Sequence, residues 1–343
     1  MKSSADIKKR IKSVANTQQI TKAMEVVSAT KMRKAQDFAL KARPYAFAAF
    51  ELLASASRKK GDKEALPALL LKNKSKKTLA VIIASDKGLA GSLNANVMRK
   101  ALTILSSSVI PATASPAVAS GEAREPESIG SGSRVVARDD KQKDGNDSEI
   151  DLATVGKKSS AYFTFRKFPI VKEFIGHGDY VDITEMHELH DFISSKFLDG
   201  TYGKVVFVYT NFLSTLRQEP VVRQVLPIIR ENLYELIEGL TPEKGRYANV
   251  KDPKDNEEEG YLYEPSREKV LQELADRLFR MTLYHIQLES NASEHSARMV
   301  AMKTASDNAA EIVDDLTLIY NKGRQAKITQ EIMEITSGSD AVA

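Results

Sequence analysis

Proline and glycine are almost absent from both ends of this chain. All 11 prolines lie between Pro44 and Pro265, no glycine precedes Gly61, and only Gly323 and Gly338 follow Pro265. Proline breaks helix interiors and glycine weakens them, so ends this poor in both predict two long helices around a different kind of middle. The first is expected from about Ile7 to Leu53, with Asp6 as N-cap and Pro44 kinking or interrupting its last turns. At 1.5 Å per residue it is roughly 70 Å long. The second is expected from about Arg267 to Ile335, roughly 100 Å if continuous. Ser266 stands as its N-cap, and Lys269 sits where a complete capping box has Glu. Helices in compact domains average about three turns, so both are exceptional.

Their apolar patterns suggest that they pair. Leu271, Leu274, Leu278, Met281, His285 and Leu288 follow a three-and-four spacing, as do Ala305, Ala309, Ile312, Leu316, Ile319, Gly323, Ala326, Gln330 and Met333. Between these runs the helix is rich in small residues, among them Ala292, Ser293, Ser296, Ala297 and Ala301. The first helix offers Ile7, Ile11 and Val14, then Ile20, Met24 and Val27. Small side chains permit close axial approach, which makes an antiparallel coiled pair of the two chain ends the economical reading. Charge favours it as well. Residues 1–60 carry 14 basic and 4 acidic groups, while residues 265–343 carry 9 and 12. The competing arrangement, two core helices of a bundle, lacks other long helices to bundle with.

The middle reads as α/β. Leu79 to Ala84 and Lys204 to Tyr209 are strand-length apolar runs, Val221 to Ile229 is a third strand, and Leu152 to Val155 a fourth. Helical spacing appears over Leu93–Leu105 and over Ile183–Phe197. Strands alternating with helices imply a mostly parallel, Rossmann-like sheet with right-handed crossovers. The expected organisation is an N-terminal long helix over 1–60, an α/β foot domain over 75–240, a loop at the foot over 241–264, and a C-terminal long helix over 265–343. Residues 106–150, rich in Ser, Ala, Pro, Gly and mixed charge, read as a mobile insertion within the foot domain.

Cysteine is absent, which excludes disulfides, thiol catalysis and thiolate metal sites. No apolar run approaches the roughly 18 residues that span a bilayer, and no signal h-region follows the N-terminus. Ser85-Asp-Lys-Gly-Leu-Ala-Gly-Ser92 joins a strand to a helix, a place where phosphates bind, but it has neither dinucleotide nor P-loop glycine spacing. Gly156-Lys-Lys-Ser-Ser160 puts Lys158 where a P-loop has Ser or Thr. His187 and His190, with Glu185 and Glu188 nearby, match no zinc-protease motif and read as a solvated helix face. Without an acid, base or nucleophile constellation, the chain is not expected to be an enzyme acting alone, and no cofactor or metal is expected. Asn16 to Gln19, Asn291, Asn308 and Asn321 to Ala326 interrupt the apolar stripes of the long helices. They read either as register-setting groups or as a shaft surface that hydrogen-bonds to surrounding subunits without sticking tightly.

These segments resemble the gamma subunit of F-type ATP synthases. The stretch Ile7 to Gln36 is similar to that family's first helix, and Ser296 to Ile335 to its last. ASDKGLAGSLN, VYTNFLSTLRQEPVVRQVLPI and YLYEP (Tyr261 to Pro265) match in order between them. The resemblance covers nearly the whole chain except about 106–150 and 241–258. It implies a non-catalytic central rotor shaft, an antiparallel coiled coil standing in a ring of alternating alpha and beta subunits, with an α/β foot touching the epsilon subunit and the c-subunit ring. Proton flow would turn the ring and shaft, and drive the beta sites through their states in sequence. The alternative kept open is a coiled-coil scaffold without energy coupling.

By the same resemblance, Arg324 and Gln325 contact a loop of the beta subunit. Met24 lies at that interface, where an added cation would disturb coupling. Tyr261, Tyr263 and Glu264 meet the c ring and epsilon. The expected location is peripheral, on the cytoplasmic side of a bacterial plasma membrane, with an organellar membrane as the alternative kept open. The chain departs from the family in reading Gly-Leu-Ala-Gly-Ser for the usual G-L-C-G-G turn and Gly-Lys-Lys for Gly-Lys-Gly. The dithiol insertion of plastid members is impossible without cysteine.

Overall fold

A computed structural model describes residues 4–58, 67–107, 149–176, 183–228 and 264–340. Two helices dominate it. Helix α1 spans Ser4–Arg58 and the last helix, α5, spans Arg267–Asp340. Their 55 and 74 residues correspond to about 80 Å and about 110 Å. The start of α1 precedes Asp6, which therefore lies inside the first turn and does not cap it. Pro44 does not interrupt the helical run. Ser266 does cap α5, its hydroxyl accepting the Lys269 amide at 3.3 Å.

Between the helices lies a five-stranded sheet in the order β3-β2-β1-β4-β5. The strands are β1 (Thr78–Ile83), β2 (Ile150–Val155), β3 (Ile170–Phe174), β4 (Lys204–Phe212) and β5 (Gln218–Leu226). The first four pair in parallel, and β5 returns antiparallel along β4 through a hairpin. The last strand starts three residues earlier than its apolar run suggests, and β3 and helix α3 (Lys157–Phe165) have no counterpart in the sequence reading. Helix α2 is Leu93–Ser107, and α4 is His187–Leu198, preceded by a 3-10 turn over Ile183–Met186. Most of the expected 106–150 insertion, residues 108–148, and the loop before Tyr261 lie outside the described residues.

Period-two alternation divides the strand side chains between two cores. Ala80, Ile82, Leu152 and Val208 meet Val97, Met98, Ala101 and Leu105 of α2 and Phe163 of α3. On the other face Leu79, Val81, Ala153, Phe207 and Tyr209 meet Leu189, Ile193 and Phe197 of α4, and also Ala275, Leu278, Phe279, Leu283 and Ile286 of α5. The lower part of the long C-terminal helix is thus a core helix of the α/β unit. Ala49, near the end of α1, joins the same core, as do residues near the start of α5. The two helices therefore run antiparallel, with the chain's middle at the foot.

Up the coil, one shielded stripe of α1 runs through Ile7, Ile11, Val14, Gln18, Thr21, Glu25, Ser28, Met32, Ala35 and Ala39, with Ala15, Met24, Ala29, Lys31, Gln36 and Leu40 half-buried beside it. The stripe's alternating steps of four and three give the 3.5-residue period of a left-handed coiled coil. Ile20 and Val27, expected in this seam, face outward at 60% and 52% exposure. On α5 the seam reads Met302, Ser306, Ala309, Val313, Leu316 and Tyr320, whereas Ile312 and Ile319 are exposed. Ile7, Ile11 and Val14 on α1 and Ala305, Ala309 and Leu316 on α5 lie in or beside the seam as expected, while Ile20, Val27, Ile312 and Ile319 turn outward and small or polar groups such as Thr21, Ser28 and Ser306 meet inside.

Candidate functional site

In an open, mostly parallel sheet the ligand crevice lies beyond the strand carboxyl ends where the strand order reverses. Here that point is between β1 and β4, because the chain passes from β1 to β2 and β3 on one side and then to β4 on the other. Helix α5 reaches this place. The Ser293 hydroxyl donates to the Thr210 carbonyl at 3.1 Å, and Arg298 donates to the Gly88 carbonyl through Nε and Nη2 at 3.2 and 3.1 Å.

The second phosphate-like feature, the N-terminus of α3, already holds an anion. The Asp86 carboxylate accepts the Lys157 amide at 2.8 Å, and the Ser85 carbonyl accepts the Lys158 amide at 3.1 Å. Gly156 precedes this turn at φ +92, and a Cβ there would come within 2.0 Å of the Ala84 carbonyl oxygen. Its glycine serves close backbone approach. The two loops with a nucleotide-motif look are thus braced against each other and against α5.

His187 and His190 separate on folding. His187 is exposed, but His190 is buried between α4 and α5. Its Nδ1 lies 3.0 Å from Asp191 and its Nε2 3.1 Å from Asp276, with the ring tilted over Phe279. The hydrogen bond from His190 holds the Asp191 carboxyl below its usual range. The expected solvated face is therefore a helix-to-helix bridge on the His190 side. Among the described residues no cluster of His, Asp or Glu could hold a metal ion.

The surface that remains for partners is the upper shaft. From Asn321 to Met333 every side chain of α5 is exposed, and Leu318, Ile319, Ile328, Ile332, Met333 and Ile335 present apolar groups to the outside. The shielded stripe of α1 starts at Ile7, and the shielded stripe of α5 ends at Tyr320. On α1 the outward groups are Ile20, Val26 and Val27. Several threonines on these faces are self-satisfied. Thr17, Thr30, Thr317 and Thr329 turn their hydroxyls back onto the carbonyls of Ser13, Val26, Val313 and Gln325. Such a surface offers apolar area beside exposed polar and charged groups such as Lys322, Arg324 and Gln325.

Arg324 and Gln325 lie on this exposed segment. Met24 lies before the midpoint of α1, half-buried beside the Lys22–Glu25 ion pair, whose atoms are 3.0 Å apart. Glu264 is exposed at the start of α5, and Tyr261 and Tyr263 lie outside the described residues. The structure thus spreads these positions along the molecule and does not gather them into a pocket. Of the interrupting polar residues, Asn291 is internal and accepts from Gln287 at 3.1 Å, while Asn308 and Asn321 are exposed. Sequence reasoning does not single out Ser293, Ser296 or Arg298 as anchors, and their partners are backbone carbonyls that no side-chain motif announces.

Comparison with known proteins agrees with this architecture. A family model described as ATP synthase matches residues 3–124 and 129–342. The ATP synthase gamma chain of Nitrosomonas eutropha is 34% identical over 342 residues, covering 100% of both chains. That of Moorella thermoacetica is 36% identical over 337 residues, covering 98% of each. A chain in the central stalk and c-ring structure of the Tetrahymena thermophila mitochondrial ATP synthase has a similar fold. The match has a TM-score of 0.51 at 21% identity, over 84% of this chain and 99% of the other.

Proposed function

The chain belongs to the ATP synthase gamma-chain family, the non-catalytic central-stalk subunit that couples rotation to catalysis at the alpha and beta subunits, and from that premise we propose how its surfaces divide the task. The exposed upper segment of α5 is the part that turns inside the alpha-beta ring. Arg324 and Gln325 hydrogen-bond to a beta-subunit loop, and Met24 belongs to the same beta-subunit interface. Glu264, with Tyr261 and Tyr263, meets the c ring and the epsilon subunit at the foot. The assembly sits on the cytoplasmic side of a bacterial plasma membrane, where partners hold the chain; no helix among the described residues is long and apolar enough to cross a bilayer.

The observation that carries this reading is the long exposed apolar segment beyond Tyr320, attached to a helix whose lower end is locked in the foot core. A shaft shifts a catalytic site only if it contacts the site's states unequally, since equal contact biases none of them. One helix extending beyond its partner is asymmetric in cross-section, so three surrounding catalytic subunits meet three different faces of it.

The test is reconstitution with alpha and beta subunits and the membrane ring. Arg324→Ala should weaken proton-driven ATP synthesis while leaving the chain folded, because its side chain is exposed. Unchanged synthesis would refute the contact. If ATPase activity appears equally well without this chain, the shaft role is wrong. Tight stoichiometric ATP binding by the isolated chain would argue instead for a nucleotide enzyme.

A further inference from the structure

A rotor must resist slipping of its shaft within its foot; close apolar packing around Phe279 and Leu283 supplies part of that resistance, and directional contacts fix the orientation further. Directional contacts join α5 to the carboxyl end of the sheet. Ser293 donates to the Thr210 carbonyl on β4 at 3.1 Å. One turn on, the Ser296 hydroxyl donates to the Thr215 carbonyl at 2.7 Å and accepts from Gln218 Nε2 at 3.2 Å. Both serines therefore grip the β4–β5 hairpin. Arg298 grips the Gly88 carbonyl in the β1–α2 loop instead, and its guanidinium also meets Glu294 and the Nδ1 of His295.

Helical geometry gives these anchors their meaning. At 3.6 residues per turn, Ser293 and Ser296 lie about 60° apart around the axis, while Arg298 lies roughly 140–160° from either. The anchoring side chains thus leave the helix axis in well-separated directions, two to the β4–β5 hairpin and one to the β1–α2 loop. The Arg298 side chain is only 7% exposed, so its bonds are shielded from water. They are charge-assisted and paired, the stronger class of hydrogen bond. The loop they hold is strained, since Leu89 follows the gripped carbonyl at φ +64, a conformation that branched side chains rarely adopt. A fixed Gly88–Leu89 peptide keeps that loop in one shape.

We propose that Arg298, with Ser293 and Ser296, is the torque lock that stops α5 turning about its own axis within the foot. This rests on the rotor reading above. Arg298 is a positioning residue, acting through the β1–α2 loop and not through the reacting nucleotide.

The experiment compares loaded with unloaded turnover in complexes reconstituted with alpha and beta subunits and the membrane ring. Arg298→Gln should reduce ATP synthesis under a proton gradient by about tenfold while ATP hydrolysis by the detached alpha-beta-gamma complex stays within about twofold. Arg298→Lys should not restore synthesis, because a point charge cannot reproduce the paired Nε and Nη2 donors. Equal loss in both assays indicates simple destabilisation and overturns the lock, as does full synthesis by Arg298→Gln. If Arg298→Gln fails to assemble, Ser293→Ala with Ser296→Ala is read in the same two assays, and the same outcomes decide. Failure of the wild-type chain to support synthesis would instead overturn the rotor reading itself.

Discussion

Residues 271–298 and 311–335 are stretches of one uninterrupted helix with similar helical character and opposite surroundings. The lower stretch buries Leu271, Leu278, Phe279, Leu283 and Ile286 and surrounds itself with sheet, α4 and α1. The upper stretch leaves Ile312, Ile319, Ile328 and Ile332 exposed. Large apolar residues are common to both, so hydrophobicity alone does not say which half has a partner in this chain. The lower half finishes a domain core, and the upper half holds its apolar groups ready for a surface supplied from outside.

That contrast can be broken or sharpened by substitution. The largest effect belongs to the lower half: Phe279→Ala should cost about 3–5 kcal/mol, read as a lower midpoint in denaturant unfolding of the full chain. Tyr202→Phe, at the amino-terminal edge of the sheet, should cost about 1 kcal/mol by removing the 2.8 Å bond from its hydroxyl to Asp151. Burial, and then that bond, raise the Tyr202 phenol above its ordinary range. The raised value favours the protonated form in the folded state. Its contribution is therefore present below about pH 10, the unfolded value, and is lost as pH rises above it. Wild-type stability should fall between about pH 9 and pH 11 by more than that of Tyr202→Phe.

The smallest stability effect belongs to the upper half. Ile332→Ser should change stability by less than about 0.5 kcal/mol, yet lower coupled synthesis in the complex. A large unfolding effect there would mean that the tip is not waiting for a partner.

Much of the fold was legible from proline, glycine and periodicity, including both long helices, the parallel centre of the sheet, and the helix expected over Leu93–Leu105, which runs to Ser107. Helix α3 was not, because Lys157–Phe165 is short and mixes Ser, Thr and aromatics that favour no state strongly. Strand β3 is five residues long, too short for alternation to stand out. The candidate partner-facing residues came from motif resemblance, since Arg324 and Gln325 carry no local pattern of burial or charge that marks them. Gln18, Thr21 and Ser28 in the α1 seam show the limit most clearly. Periodicity favoured Ile20 and Val27 by hydrophobicity, but the more polar stripe faces inward.

By itself the amino-acid sequence determined that two helices nearly free of breakers would run the length of the molecule, because backbone preference acts locally and needs no partner. It also determined that a parallel α/β unit would lie between them. Only the tertiary structure decided which faces of those helices meet, where α5 passes the mouth of the sheet, and that Arg298 and two serines hold it there. Those choices depend on which surfaces compete for one another between residues as far apart in sequence as Gly88 and Arg298, and no spacing within a single helix records that competition.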